Sequence, residues 1–317
     1  MPFEIPNDLN VFLHANHGKD QVRVLRVARQ GLWDHVFEYN VTVLVEGDIN
    51  DSSTRADNSA VVATDSMKNI VYYLAKESPH VVDPEFFALH LGTHIVSRYS
   101  HIHKAHITIE QLRWSRIPIN DTNSRKGELI GHTHSFLRDG DEKIVIKVEV
   151  DATAGKDKLI GFVSAGITDL LGAHFLHGIP FLSNEVLKSR GSAFTSFIRD
   201  KSTSLAEDND RVFSTVVDFQ YTFAPIDLPV PQDEKKLDFQ LGQNVRDCVL
   251  GVAQRARDTT LKVLAEDDSP SMQATIYKMG QLVLTQNDGV QAVTYTLPNK
   301  HYIPVDVNYI AVENLTP

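Results

Sequence analysis

The chain has 317 residues, 42% of them hydrophobic and 23% charged, with a formal net charge of −10. Such a composition is globular, and the length suits two domains of common size or one domain built from two similar halves. The acidic balance argues against nucleic acid or an anionic membrane as the main partner, so an anionic small substrate would need a locally basic site.

Residues 1–18 read as irregular. Val22, Val24 and Val27 open an extended segment that turns near Gln30–Gly31, and Phe37, Tyr39, Val41, Val43 and Val45 then alternate with polar residues. This alternation predicts a long hairpin with one buried face. A polar loop over 50–59 leads to Val61-Val62-Ala63, a buried strand end. Thr64 reads as the N-cap of a helix over 64–78, with Asp65 where a helix N-terminus favours negative charge. Met67, Ile70, Val71 and Leu74 give that helix its apolar face, and Pro79 stops it. Pro84 opens a second helix reaching Tyr99. Ile107, Ile109 and Leu112 start a strand pair that continues through 132–136, and Ile144–Val150 reads as a further strand.

The second half repeats this order. Residues 158–168 and Val186–Leu187 are extended, and Val217, Phe219, Tyr221 and Phe223 alternate as a long strand. Pro225, Pro229 and Pro231 mark a loop. One long amphipathic helix carries Val245, Val249, Val252, Ala256 and Leu264, a second covers 271–285, and Val293–Leu297 is a strand ended by Pro298. Strands joined in sequence by turns predict an α+β protein with antiparallel sheets and helices on one face, divided at 1–152 and 153–317.

The single cysteine, Cys248, lies among Val245, Val249 and Val252 and reads as a buried structural thiol. With no partner for an intrachain disulfide, a reducing compartment is expected. The N-terminus has no basic stretch or long apolar core, no segment has membrane-spanning length, and the C-terminus is not a Ser-Lys-Leu address. The expected location is therefore cytoplasmic, with a peroxisome left open for a eukaryotic source.

No Gly-rich phosphate loop, GxSxG or HExxH is present. His101, His103 and His106 have no Cys or acidic ligand beside them in sequence, and Lys104 would oppose a cation, so they read as structural rather than metal-binding. His132 and His134 read the same way. What remains is polar groups at element ends: Lys19 after Gly18, Arg211 before a strand, Gln273 at a helix start, and Asn299 and His301 after Pro298. Singly, each reads as a cap, a turn residue or a solvated charge.

Together they carry a resemblance. Val61-Val62-Ala63-Thr64-Asp65-Ser66-Met67-Lys68-Asn69 resembles the signature of the urate oxidase (uricase) family. Gly18-Lys19-Asp20, Ala56-Asp57-Asn58-Ser59, Phe194–Asp200, Asp210-Arg211, Ser271–Tyr277 and Leu297–Tyr302 match further family motifs in family order. The resemblance implies two tandem tunnelling-fold (T-fold) domains and a homotetramer whose antiparallel sheets form a barrel-like tunnel. It also implies oxidation of urate by O2 and water to 5-hydroxyisourate and hydrogen peroxide, with no metal or other cofactor.

It further implies roles for single residues. Lys19, hydrogen-bonded to Thr64, would form the base system, and His301 would complete a proton relay. Phe194 would stack on the flat substrate, Arg211 would present a fork of donors, and Gln273 would pair with an amide-like edge. The backbone N–H of Met272 would add a donor where the family usually has Val, and Leu205 would form a wall. Asn299 and Thr64 would hold O2 and then water. Asp65 would orient Thr64 and bind a purine edge through its main chain. In the family, the Lys19–Thr64 part comes from one subunit and the rest from its neighbour.

Three departures accompany the match. Leu170–Leu182 is longer than the family pattern, Ser202 replaces a usual Tyr, and the family continues past Val307–Asn308 into another strand. The rivals are a pterin-directed T-fold enzyme, which would need a Glu anchor or zinc set not seen here, and an inactive purine-binding or structural homologue.

Overall fold

The computed structural model describes residues 15–120, 129–170, 172–176, 179–183, 185–300 and 305–312. The fold is α+β. Strands β1 (His17–Gln30) and β2 (Trp33–Gly47) form the long hairpin, turning at Gly31. A short helix α1 (Asn50–Thr54) occupies part of the stretch read as loop. Helices α2 (Thr64–Glu77) and α3 (Pro84–Arg98) follow, then β3 (Ile102–Asn120) and β4 (Leu129–Asp151). In the second half come β5 (Leu159–Thr168), β6 (Gly172–Leu176), β7 (Ile179–Ser183), β8 (Val186–Lys188), β9 (Phe213–Thr215), β10 (Asp218–Phe223) and β11 (Ile226–Leu228). The chain then forms α4 (Gln243–Val249), α5 (Val252–Glu266), α6 (Met272–Gln286), β12 (Val290–Thr296) and β13 (Asn299–Lys300).

One antiparallel sheet runs β1-β2-β3-β4-β5-β10-β12, with β11 also paired to β5. The β4–β5 pairing carries the sheet across the expected boundary between the halves. A separate small sheet, β13-β9-β8, sits at the end of the second half. The segment after Leu170 contributes β6 and β7, paired with each other.

The period-two pattern fixes which side the helices take. Val41, Val43, Ile107, Ile109, Ile146, Val148, Ala165 and Tyr221 are buried against Met67, Val71, Leu74, Phe87, Ile95, Val252, Ala256, Met279 and Val283 in one core. A fully buried Val, Leu, Ile, Phe or Met side chain in this core contributes about 1.5–3 kcal/mol. The opposite face, with Asn40, Thr42, His106, Thr108, Lys147 and Glu149, is polar and helix-free. α3 is buried nearly all round, from Pro84 to Val96, and lies at the centre of the helical layer.

Several expectations are corrected. The strand over 132–136 and that over 144–150 are one continuous β4. The single long helix around Cys248 is two helices, because Gly251 takes a left-handed conformation (φ 72°) between α4 and α5. Cys248 is exposed, not buried; its neighbour Val249 is the buried residue of the short α4. Thr64 is the first helical residue rather than the cap. Ala63 occupies the cap position, and among the described residues no side chain caps α2. Asn308–Ile310 forms a 3-10 turn. No helix among the described residues is long and apolar enough to cross a membrane.

The halves are joined by histidines that sequence reading passed over. His80 Nε2 donates to Phe239 O at 2.9 Å, and His90 Nε2 donates to Lys236 O at 2.8 Å. Arg246 donates to His80 Nδ1 at 2.9 Å, and Ser78 Oγ pairs with His90 Nδ1. Burial lowers both imidazole pKa values, and burial pushes His94 down to about 4. All three are therefore neutral side chains of the core at neutral pH.

Candidate active site

The site residues fall into two clusters. The first lies where β1 meets the start of α2. The register pairs Lys19 with Val43, then shifts so that Val22 pairs with Val41, leaving Asp20 and Gln21 opposite Thr42 alone. This is a β-bulge, with Gln21 at φ 55° and Thr42 Oγ1 donating to the Asp20 carboxylate. The extra residue inverts the parity of the strand. Without it, Lys19 would share a face with Asn40 and point away from the helices. With it, Lys19 joins Val43 on the helix side. Gly18 is required beside it, since a Cβ there would lie 1.8 Å from Val43 O.

Thr64 is half-buried and Asp65 exposed. The Asp65 carboxylate accepts from Lys68 Nζ at 2.5 Å and from Asn69 at 3.0 Å. Lys68, by hydrogen bond and charge, holds this carboxyl below its usual range, and Lys19 adds a smaller pull in the same direction. The Asp65 side chain thus engages the next turn of its own helix rather than Thr64. Lys19 lies within charge range of Asp65, and no hydrogen bond joins it to Thr64 among the described residues.

The second cluster gathers around the small sheet and the start of α6. Phe194 exchanges backbone hydrogen bonds with Asp208 (2.7 and 3.1 Å), and the Arg211 amide donates to Ser192 O at 2.8 Å. These bonds bring the Arg211 guanidinium carbon 5.1 Å from the Phe194 ring centroid. Phe197 stacks on Phe194 at 4.7 Å and 15°, fixing its plane. Arg211 Nε is buried without a hydrogen-bond partner among the described residues. A flat platform beside an incompletely paired planar cation is suited to a flat anion.

The neighbouring strand segment ties this platform to α6. Ser192 bridges Ser269, with Ala193 N donating to Ser269 O at 2.9 Å. Thr275 Oγ1 bonds both Asp267 (2.9 Å) and Ser269 Oγ (2.5 Å). Ser271 caps α6 through Ala274 N at 3.2 Å. Met272 and Gln273 are thereby the first two helical residues, whose amides have no intrahelical acceptor. Asn299 pairs with Thr215 in the small sheet, three residues past the end of β12, and Thr215 Oγ1 donates to Pro298 O at 2.9 Å. Leu205 is about half exposed. His301 lies outside the described residues.

The structure thus brings together Lys19, Thr64 and Asp65 at one place, and Phe194, Arg211, Met272, Gln273 and Asn299 around another. No hydrogen bond, ion pair or ring contact links the two among the described residues. The acidic partners of the strand histidines were not evident from sequence. Glu46 and Glu149 flank His106 from neighbouring strands, and Asp48, just past the end of β2, meets His103 at 3.1 Å. Among the described residues no group of three such side chains is arranged to hold a metal ion.

A family model described as Uricase matches residues 15–149 and 182–316. A uricase of Aspergillus flavus is 39% identical over 301 residues, covering 93% of this chain and 86% of that relative. One from Schizosaccharomyces pombe is 34% identical over 302 residues, covering 94% and 88%. Among solved structures, a crystal structure of uricase from Arthrobacter globiformis superposes with a TM-score of 0.71 at 28% identity, covering 95% of this chain and 86% of that one.

Proposed function

The chain belongs to the uricase family, and on that premise we propose that it oxidises urate with O2 and water to 5-hydroxyisourate and hydrogen peroxide, using no cofactor. Urate loses two electrons and O2 gains them with two protons, so proton transfer is the work left to the protein. Lys19, Thr64 and His301 form the relay that removes a proton from bound urate. The resulting electron-rich dianion reduces O2 held by Thr64 and Asn299, and water then adds at the oxidised carbon along the same relay.

Urate lies on Phe194, with Arg211 at its carbonyl and ring-nitrogen edge and Gln273 at the amide-like edge. The amide of Met272 and the main chain of Asp65 supply further edge contacts, and Leu205 closes one side. The observation that carries this reading is the division of labour between the clusters. The Lys19–Thr64 cluster has an amine and a hydroxyl, with no ring stacking there among the described residues; the Phe194–Arg211 cluster has the aromatic platform, and its neighbouring carboxylates Glu207, Asp208 and Asp210 accept from backbone N–H groups. We therefore assign the active unit to a homotetramer of two-domain T-fold subunits, divided at 1–152 and 153–317, in which each site takes one cluster from each of two subunits. The lone cysteine supports a cytoplasmic, reducing setting.

The test is purified protein with urate in air, following urate's near-ultraviolet absorbance, O2 uptake and peroxide together. One peroxide per urate is expected, with turnover surviving chelation and dialysis. Urate binding without turnover would overturn the enzymatic reading. Turnover lost on chelation and restored by a metal would overturn the cofactor-free part.

A further inference from the structure

The Lys19–Thr64 assignment leaves one adjacent side chain without a role. His17 is two residues before Lys19, and its register partner is Val45, a core-facing residue like Val43. The bulge that turns Lys19 to the helix side therefore turns His17 there too. His17 is half-buried, and its Nε2 donates to the Val62 carbonyl at 3.1 Å. Val62 is buried and precedes Thr64 by two residues, with only the cap residue Ala63 between.

Among the described residues, one side-chain hydrogen bond from β1 reaches the last turn of α2 and one reaches the segment just before its start. At the far end Arg26 donates to Ala75 O at 2.7 Å. At the near end the tie is His17. Among the described residues no side chain caps the helix there, so the approach of Thr64 to Lys19 depends on how segment 61–63 is pinned to the strand. Proton transfer is steeply sensitive to such distances, and a displacement of about 1 Å can cost roughly 100-fold in rate.

We propose that His17 is a positioning residue for the proposed base pair, holding the Val62 carbonyl so that Thr64 stays in reach of Lys19. The inference rests on the reading of Lys19 and Thr64 as the base system. His17 need not touch urate. It acts through one N–H donor of defined reach.

Three replacements separate that role from general support. Gln places an amide N–H near the position of His Nε2, Asn keeps the donor but falls short, and Phe fills the space with no donor. His17→Phe and His17→Asn are expected to lower kcat about tenfold or more, with KM for urate within about twofold, while His17→Gln recovers most of the rate. Arg26→Met, which removes the matching tie at the far end of α2, is expected to lower the melting temperature and leave kcat unchanged.

Equal kcat in all three His17 variants would overturn the inference. So would a loss seen in KM rather than kcat, no recovery with Gln, or an equal kcat loss in Arg26→Met. Lys19→Met is run alongside. If it leaves turnover intact, the base assignment itself fails; if it abolishes turnover while the His17 variants keep theirs, only the role of His17 fails. Melting curves and gel filtration of each variant separate folding loss from rate loss, and Asn against Gln remains decisive where Phe fails to fold.

Discussion

Lys19 and Thr64 stand on a strand and a helix whose neighbours Val41, Val43, Met67 and Val71 are fully buried. Phe194, Leu205 and Arg211 stand on the irregular run between β8 and β9, held by local backbone bonds to Ser192 and Asp208 and by ring stacking. Groups that exchange a proton must keep a fixed separation, and a bulged strand against a packed helix supplies it. A platform for a flat ring needs a plane and an edge, which local bonds can hold on a loop. The contrast predicts that damage to the first cluster shows in the rate of chemistry, and damage to the second in affinity.

The largest effects test this directly. Lys19→Met and Thr64→Ala are expected to lower kcat by about 100-fold or more, with the Kd for urate, measured without O2, changed far less. Arg211→Gln and Phe194→Ala should do the reverse, raising Kd roughly 10- to 100-fold for the arginine, the scale of one lost charged hydrogen bond. If Lys19→Met weakened binding alone, the comparison would be inverted.

A mixing experiment sharpens the same contrast. Lys19→Met and Arg211→Gln subunits are each expected to be nearly inactive alone. Unfolded together and refolded, they should regain activity, because some interfaces then pair an intact Lys19 with an intact Arg211. A site complete within one chain would regain nothing, and a stable active monomer would also break the argument.

Much of the first region was legible from sequence. The alternation of Tyr39, Val41, Val43 and Val45 and the helical spacing of Met67, Ile70, Val71 and Leu74 are local signals of one buried face, and both elements formed as read. The bulge was not legible. Asp20 and Gln21 are ordinary strand residues, and only the register against Thr42 shows that one of them is extra. His17 was missed for the same reason, since its face depends on that register. Thr64 was misread because Ser, Thr and Asp at a helix start fit both the cap and the first turn; geometry puts Ala63 at the cap. In the second region periodicity gave little, since Phe194, Arg211 and Asn299 lie in or beside segments too short to carry a pattern. There the collinear motifs supplied what spacing could not. The split of one helical pattern at Gly251 shows the remaining limit: apolar spacing continues across a break that only a backbone angle reveals.

Stability offers a second axis for comparing the regions. Glu85, in the first turn of the central α3, is buried, and that burial pushes its carboxyl from 4.5 up to about 7. The folded state therefore holds this proton more tightly than the unfolded chain. Its contribution is full below pH 4.5 and is lost as pH rises towards 7. Glu85→Gln, which mimics the protonated form, should be more stable than the parent above pH 7 by up to about 3 kcal/mol and equal to it at acid pH. The buried His80, His90 and His94 act oppositely. Their lowered pKa values mean stability present above the ordinary histidine range and lost as pH falls through it, down to about 4 for His94. Denaturant melts from pH 4 to 9 should show the parent falling on both sides and Glu85→Gln falling only on the acid side. An unchanged alkaline limb would show that Glu85 is not held protonated.

The smallest effects come from the two helix starts. α6, in the second cluster, begins with Ser271, whose Oγ accepts from Ala274 N; α2, in the first, begins with Ala63 and has no side-chain cap among the described residues. Ser271→Ala should cost about 1 kcal/mol and, because Met272 and Gln273 follow directly, raise KM for urate with little change in kcat. Ala63→Ser has the complementary geometry. Ala63 already has extended backbone angles (φ −57°, ψ 135°) that suit a capping residue, so a serine there should stabilise the helix by about 0.5–1 kcal/mol. Its hydroxyl would also occupy first-turn amides beside Thr64. If the first cluster depends on Thr64 being free to move a proton, this stabilised variant should turn over more slowly than the parent. A variant both more stable and equally fast would show that the uncapped start of α2 has no part in the chemistry.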